Sequence, residues 1–211
     1  MHFSLIKAIK AISLFVVLLL IPGTIWAQSH AEHRHGDHAP AVTESAAPYE
    51  SLTIPDVTVL DEEGKEVRFY SELVKGKIVA INFIFTTCTT VCPPLGATFA
   101  RLQRSINPRL AKEVNLISIS VDPAVDTPER LKAWAGKFGA QPGWKLVTGS
   151  KAELDKLLRA LGGYTAQKED HTPTVLIGDA QRNKWTRVYG VAKYARLAAV
   201  IEQLSDTRKT Q

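Results

Sequence analysis

The sequence predicts an α/β fold, a central mixed sheet flanked by helices with an N-terminal β-hairpin extension, and three observations carry that prediction. Residues 77–85 form a near-continuous apolar run of strand length, the pattern of a central strand covered on both faces. After it, apolar runs of strand length alternate with stretches of helical periodicity as far as residue 204. The composition is that of one globular domain with extensions: 211 residues, 45% hydrophobic and 22% charged, with 13 Gly and 11 Pro. Collagen, coiled coil and disorder throughout are excluded.

In chain order, residues 57–60 and 66–69 flank Asp61-Glu62-Glu63-Gly64-Lys65, giving a strand, a Gly-containing turn and a returning strand, hence the hairpin. The central strand at 77–85 ends in a loop over 86–91, and from Pro93 to Ile106 the residues Leu95, Phe99, Leu102 and Ile106 share one helical stripe. A strand at 114–121 precedes a helix from Pro128 to Phe138, with Thr127 as cap and Pro128 at the first helical position. A short strand at 144–147, a helix from Ser150 to Leu161, strands at 174–177 and 185–189, and a helix from Lys193 to Leu204 complete the series. Asp126 adds favourable charge beside the Thr127 cap and reads as part of that helix start. Asp122, at the end of its strand, bears on the site or on a partner surface and is not read as a ligand. Trp134, Trp144 and Trp185 read as core or edge aromatics, and the Lys and Arg residues of the last helix as a solvated face. These elements make one domain over residues 51–206, followed by a tail at 207–211.

Residues 1–27 read as an export signal: Lys7 and Lys10 precede an apolar run over 11–21 broken only by Ser13, and Trp26-Ala27-Gln28 offers a processing point after Ala27. Ile25 is larger than the residue usual at its distance from a cleavage point, which leaves an uncleaved N-terminal membrane anchor as the alternative. Either outcome places the domain outside the cytoplasm, in the periplasm or on the outer face of the cytoplasmic membrane, where thiols are exposed to oxidation. Without Lys7 and Lys10 the formal charge falls from +5 to +3. That charge is scattered and too weak for nucleic acid, and membrane contact is expected only through an uncleaved N-terminal segment. Residues 28–50 read as a flexible linker with His30, His33, His35 and His38 in its first half. Such a tract either captures Cu(II) or Zn(II) with low selectivity or merely solubilises the chain, and composition leaves both open.

The chemistry concentrates where the central strand ends. Cys88 and Cys92 are the only cysteines, so no disulfide framework joins distant parts of the fold. Both lie between the carboxyl end of the strand and a helix N-terminus, where free amide N–H groups stabilise thiolates. Three intervening residues let both sulfurs face one point, whereas dedicated thiol oxidoreductases generally use two. A lowered thiol pKa serves metal binding and nucleophilic attack alike, so a metal site and a redox-active disulfide are both open at this stage. Two inert buried cysteines would leave their shared loop unexplained.

His171 is the only histidine beyond the linker, and alone it would read as an ordinary surface or core residue. Thr172-Pro173-Thr174 leads directly into an apolar strand and resembles the cis-proline turn that faces the cysteine loop in thioredoxin-like folds. That resemblance implies a place for His171 beside Cys88 and Cys92. Two thiolates and one imidazole make a soft, low-coordinate site that suits Cu(I) and tolerates Cu(II).

Three stretches in order carry a wider resemblance: Phe83-Ile84-Phe85-Thr86-Thr87-Cys88 through Cys92-Pro93; Ser118-Ile119-Ser120-Val121-Asp122-Pro123-Ala124-Val125-Asp126-Thr127-Pro128-Glu129-Arg130-Leu131-Lys132; and Asp170-His171. They resemble the Sco/SenC family, whose members are thioredoxin-like copper-binding proteins used in assembling cytochrome c oxidase, and the similarity covers most of residues 52–205. It implies a thioredoxin-like fold, metal ligands at Cys88, Cys92 and His171, and copper, as Cu(I) or Cu(II), as the ion. The family commonly has Pro-Asp inside the cysteine loop where this chain has Thr89-Thr90, which removes a nearby carboxylate and no ligand. The implied function is an extracytoplasmic copper chaperone that passes one ion to the dinuclear copper centre in the copper-bearing subunit of a haem-copper oxidase. A thioredoxin-like reductant and another copper carrier are the further partners implied. The alternatives are a thiol-disulfide reductase that keeps the acceptor's cysteines reduced, with Cys88 attacking and Cys92 resolving, and a copper or redox sensor. Enzymatic activity is expected only in the reductase case.

Overall fold

Seven strands join into one mixed sheet in the order β2-β1-β5-β4-β3-β6-β7. The structure is a computed structural model and describes residues 47–210; the expected export signal at 1–27 and His30, His33, His35 and His38 lie outside the described residues. In chain order the elements are β1 (Thr58–Asp61), β2 (Glu66–Arg68), β3 (Ile78–Ile84), α1 (Cys92–Ser105), β4 (Val114–Ser120), α2 (Pro128–Lys137), β5 (Trp144–Thr148), α3 (Lys151–Leu161), β6 (Thr174–Asp179), β7 (Lys184–Tyr189) and α4 (Tyr194–Lys209). β3, β4 and β5 run parallel at the centre. The hairpin β1-β2 adds antiparallel at the β5 edge, and β6-β7 adds antiparallel at the β3 edge.

β3 shows why a central strand loses the alternation of a half-buried one. Ile78, Ala80 and Ile84 pack into a core with α1, α2 and α4, while Val79, Ile81 and Phe83 pack into a second core with α3 and the hairpin. Its register with β4, from Ile78 opposite Val114 to Ile84 opposite Ser120, brings the carboxyl ends of both strands to the same edge of the sheet. β6 runs the other way and begins at that edge. Trp134, Trp144 and Trp185 are all buried. No helix among the described residues is long and apolar enough to cross a membrane.

In three places the chain departs from the pattern its sequence suggests. The second strand stops at Arg68, and Phe69–Val74 form a π-helical turn. The Asp56 carboxylate holds it, accepting the N–H groups of Tyr70 and Ser71 at 2.9 Å each and the Ser71 hydroxyl at 2.6 Å. The end of the expected linker pairs with β7: Glu50 and Trp185 exchange N–H···O bonds of 2.7 and 2.9 Å, and the Ala47 N–H donates to the Arg187 carbonyl. The last helix continues past Leu204 to Lys209 and absorbs most of the expected tail. It does so because Arg208 reaches the buried Asp179 carboxylate with Nε at 2.8 Å and Nη2 at 2.5 Å, so this arginine is a structural ion pair and not part of a solvated face.

Candidate metal and thiol site

β3 delivers the chain to the cysteine loop, and α1 begins at Cys92. As the first residue of α1, Cys92 has an N–H with no acceptor inside the helix, and it points at Cys88 Sγ over 3.4 Å; Pro93 and Pro94, without an N–H, leave no other donor at the next two positions. The Thr90 hydroxyl lies 3.8 Å from the same sulfur. Both cysteines are buried and free of any disulfide. Burial pushes the Cys88 thiol up, but hydrogen bonds from the Cys92 thiol, the Cys92 N–H and the Thr90 N–H and hydroxyl outweigh it and hold Cys88 below the usual value. Cys92 goes the other way: burial first, then its hydrogen bond to Cys88 and the negative charges of Cys88 and Asp126, push it up to about 12. The pair is divided: Cys88 gives up its proton more readily than an ordinary thiol, and Cys92 is held as a thiol.

His171 arrives from the other side. α3 ends at Gly162, whose φ of 69° lies in the left-handed region, and the next residue, Gly163, passes so close to Phe83 that a Cβ would come within 2.3 Å of its ring. The chain then forms a 3-10 turn at Lys168–Asp170 and reaches His171 just before β6. The ring is 6% exposed and packs edge-on to Phe85, with centroids 6.4 Å apart. Burial lowers its pKa against a raising hydrogen bond to the Phe83 backbone, so the imidazole is neutral at pH 7. Its Nε2 is buried and has no hydrogen-bond partner.

Cys88 and His171 line one cavity of about 350 Å³, together with Phe85, Thr87, Thr90 and Lys168. The cysteine loop and His171 therefore meet at one edge of the sheet. Cys92 has no exposed surface, and among the described residues no three His, Cys, Asp or Glu side chains converge closely enough to hold a metal ion. Joint ligation by Cys88, Cys92 and His171 requires the three side chains to draw closer than they stand here.

Two residues matter here that sequence reasoning placed elsewhere or passed over. Asp126 is no helix cap: it is 1% exposed, its Oδ1 accepts the Thr86 N–H at 3.0 Å and the Thr86 hydroxyl at 2.5 Å, and its Oδ2 accepts the Ser120 hydroxyl at 2.6 Å. The cap is Thr127 alone, whose Oγ1 accepts the Arg130 N–H at 3.4 Å. A carboxylate beside Thr-Pro ordinarily serves the helix dipole, and the sequence carries no sign that residues 120–126 curl back against the cysteine loop. Lys168, unremarkable in the sequence, stands in the cavity wall 5.4 Å from the centre of the Phe85 ring, with Nζ 2.6 Å from Asp122 Oδ2.

The SCO1/SenC family model matches residues 46–206. The SCO1 protein homolog of Bacillus subtilis (strain 168) is 36% identical over 101 residues, which is 47% of this chain and 51% of its own. The chain spans about half the length of the curated relatives it matches. BsSco, a member of the Sco family of cytochrome c oxidase assembly proteins in which a disulfide switch is identified, superposes with a TM-score of 0.61 at 27% identity, covering 74% of this chain and 95% of its own. ScoI of Bradyrhizobium japonicum with copper bound superposes with a TM-score of 0.58 at 27% identity, covering 75% of this chain and 99% of its own. The expected thioredoxin-like α/β fold is borne out by these likenesses. Since the family match runs from ahead of β1 into α4, the chain belongs to the SCO1/SenC family.

Proposed function

We propose that this protein is an extracytoplasmic copper chaperone that receives one copper ion at Cys88, Cys92 and His171 and passes it to the dinuclear copper centre of cytochrome c oxidase during assembly. One observation carries the reading: His171, whose buried Nε2 has no hydrogen-bond partner, lines the same cavity as Cys88. A buried polar atom left unpaired costs about 1–3 kcal/mol, and a soft metal ion is a partner that thiolate and imidazole accept together. Copper bound to B. japonicum ScoI and the place of BsSco among oxidase assembly proteins support the cargo and its destination. The export signal or anchor at 1–27 supports a site outside the cytoplasm.

Uptake of the ion by both thiolates releases the Cys92 proton, since a thiol must ionise to ligate. Delivery is ligand exchange: each bond from copper to this chain is replaced by one to the acceptor, no electron is transferred, and the freed sulfurs take up protons. His171→Ala tests this. It leaves two thiolates that still hold Cu(I) but support Cu(II) poorly, so cells carrying it should fail to assemble the oxidase. Normal assembly with His171→Ala, alongside failure with Cys88→Ser, would remove the chaperone reading.

The division of the thiols favours a second reading, a thiol-disulfide reductase acting on the acceptor. Cys88 thiolate attacks an acceptor disulfide, forming a mixed disulfide and expelling one acceptor thiolate. Cys92 then loses its proton and attacks Cys88, expelling the second and leaving Cys88 and Cys92 oxidised. A thioredoxin-like reductant returns the two electrons. Exchange with a small disulfide should survive His171→Ala, because it rests on thiolate, leaving group and access.

A further inference from the structure

The turn over residues 120–126 is fastened to both halves of the site by separate carboxylates. Asp126 takes up the cysteine loop through the N–H and hydroxyl of Thr86. Asp122, four residues earlier in the same turn, takes up the segment that carries His171 through Lys168. The two are joined through Ser120, whose hydroxyl donates to Asp126 Oδ2 at 2.6 Å and accepts the Asp122 N–H at 3.0 Å, while the Asp126 N–H donates to the Asp122 carbonyl at 2.9 Å. A continuous hydrogen-bonded path thus runs from the thiol-bearing loop to the imidazole-bearing segment.

The salt bridge to Lys168 matters more than most at a surface because little else holds that segment. Among the described residues, Lys168 to Asp122 is the one hydrogen bond that ties residues 165–170 to the rest of the fold; the bonds at Asp170 and His171 N–H stay within the segment. Cavities flank it on both sides: that of Cys88 and His171, and a larger one of about 720 Å³ lined by Asp122, Pro123, Tyr164 and Thr165. Asp122 is 12% and Lys168 30% exposed, so the pair is partly desolvated. The Lys168 ammonium stands 5.4 Å from the centre of the Phe85 ring, which in turn packs edge-on to the His171 ring.

We propose that Asp122 and Lys168 are positioning residues for the copper site: their ion pair sets where His171 stands relative to Cys88 and Cys92, with the turn at 120–126 as the common support. The proposal rests on the reading that these three residues hold copper. Neither Asp122 nor Lys168 is a ligand; losing the pair leaves all three ligands present and loosens only the imidazole. Removal of such supporting contacts weakens metal affinity about 10–100-fold. The loss should fall on Cu(II), which needs the nitrogen, and hardly on Cu(I), which two thiolates retain.

The test uses the full, reduced chain with Asp122→Asn and, separately, Lys168→Met, titrated with Cu(II) and with Cu(I). The readout is the thiolate-to-Cu(II) charge-transfer absorption, which a histidine tract alone does not produce. Both variants should lose roughly tenfold or more in Cu(II) affinity and shift that band, keep Cu(I) affinity within a few-fold, and recover in the double variant Asp122→Lys, Lys168→Asp. If Asp122→Asn fails to fold, Lys168→Met, at a more exposed side chain, removes the same contact. Unchanged Cu(II) affinity and band in Lys168→Met, with His171→Ala impaired, overturns this proposal and spares the functional reading. An unmodified chain that gives no thiolate-to-Cu(II) band overturns this proposal, and one that also fails to bind Cu(I) overturns the functional reading with it.

Discussion

The two ends of the central sheet use buried carboxylates differently. At the end where β3 begins, Asp179 is fully buried and meets the guanidinium of Arg208, with the Gln181 and Arg182 N–H groups as further donors. At the end where β3 finishes, Asp126 is equally buried but meets only neutral donors, the Thr86 N–H, the Thr86 hydroxyl and the Ser120 hydroxyl. One end is charge-compensated and tied to the last turn of α4. The other keeps a carboxylate with no direct ion-pair partner, whose negative charge is one of the lesser influences that hold Cys92 as a thiol, beside an imidazole nitrogen with no partner. The lesson is a division of labour: at one end a paired carboxylate fastens the sheet to the last helix, and at the other an unpaired imidazole nitrogen lies near the two cysteines.

Oxidation gives the largest expected effect and touches only the site end. Cys92 N–H already lies against Cys88 Sγ, so mild oxidant should join the two cysteines in one disulfide and abolish Cu(I) binding, because a disulfide sulfur is a poor ligand. Before oxidation, alkylation near neutral pH should label Cys88 and leave Cys92 untouched, since one thiol is held below and the other pushed up to about 12. Thiol counting, peptide mass mapping and a copper titration check these three statements; undiminished Cu(I) uptake by fully oxidised protein would sink the first.

Arg208→Met should do the opposite, costing stability and leaving copper alone. Removing one partner of a buried ion pair costs about 3–5 kcal/mol, because the charge left behind is uncompensated. Burial alone would raise the Asp179 pKa, but Arg208 and the two N–H groups outweigh it and hold the carboxyl below the usual carboxylate range. A depressed folded-state pKa contributes stability that is present above the unfolded value, near 4, and is lost as pH falls through the folded value. The deficit of Arg208→Met in denaturant unfolding should therefore be greatest at neutral pH and shrink below about pH 4. A deficit that does not change with pH would mean that Arg208 acts by packing.

Asp126→Ala is the matching cut at the site end. It leaves the Thr86 and Ser120 donors without their acceptor, a cost of about 1–3 kcal/mol, smaller than at Arg208 because no charge is stranded. Its chemical effect should be the larger one. With the Asp126 charge gone, one of the influences that raise Cys92 is removed, so the Cys92 thiol should ionise at a lower pH. Thiolate absorbance against pH measures this, and an unmoved Cys92 profile would show that the carboxylate acts on the loop's shape alone.

The same contrast explains what could be seen in the sequence. β3, β4 and α1 were legible because each is an unbroken apolar run or a 3.6-residue stripe, and Cys88 and Cys92 because two lone cysteines share one loop at a helix start; His171 stood out only through the resemblance of Thr172-Pro173-Thr174 to a cis-proline turn. What escaped depends on partners far along the chain. Asp56 turns residues 69–74 into a π-helical turn from 14 positions before Tyr70, and Asp179 extends α4 from 29 before Arg208. Asp126 reaches 40 positions back to Thr86. Each of these carboxylates is locally a plausible turn or cap residue, and only the packed sheet shows which distant donor it serves. Lys168 was invisible for the same reason, since nothing in Gln167-Lys168-Glu169 distinguishes a solvated lysine from one bridged to Asp122.

The smallest effect should come from Thr127→Ala, and it asks how far the site end extends. The Thr127 hydroxyl caps α2 through a long 3.4 Å bond to the Arg130 N–H, so its loss should cost about 1 kcal/mol. Arg130 also sends Nε to the Thr86 hydroxyl at 3.4 Å, the same hydroxyl that Asp126 holds at 2.5 Å. The two bonds do not compete, because the hydroxyl donates to the carboxylate and accepts from the guanidinium, and the shorter, charge-assisted bond to Asp126 holds it without the longer one, so fraying the first turn of α2 should leave Thr86 and the cysteine loop in place. The expected result is a small drop in unfolding midpoint with the thiolate-to-Cu(II) band and the Cys88 alkylation rate unchanged. A shift in either would show that α2 belongs to the machinery of the site end, and that the boundary drawn at Asp126 lies too close to the cysteines.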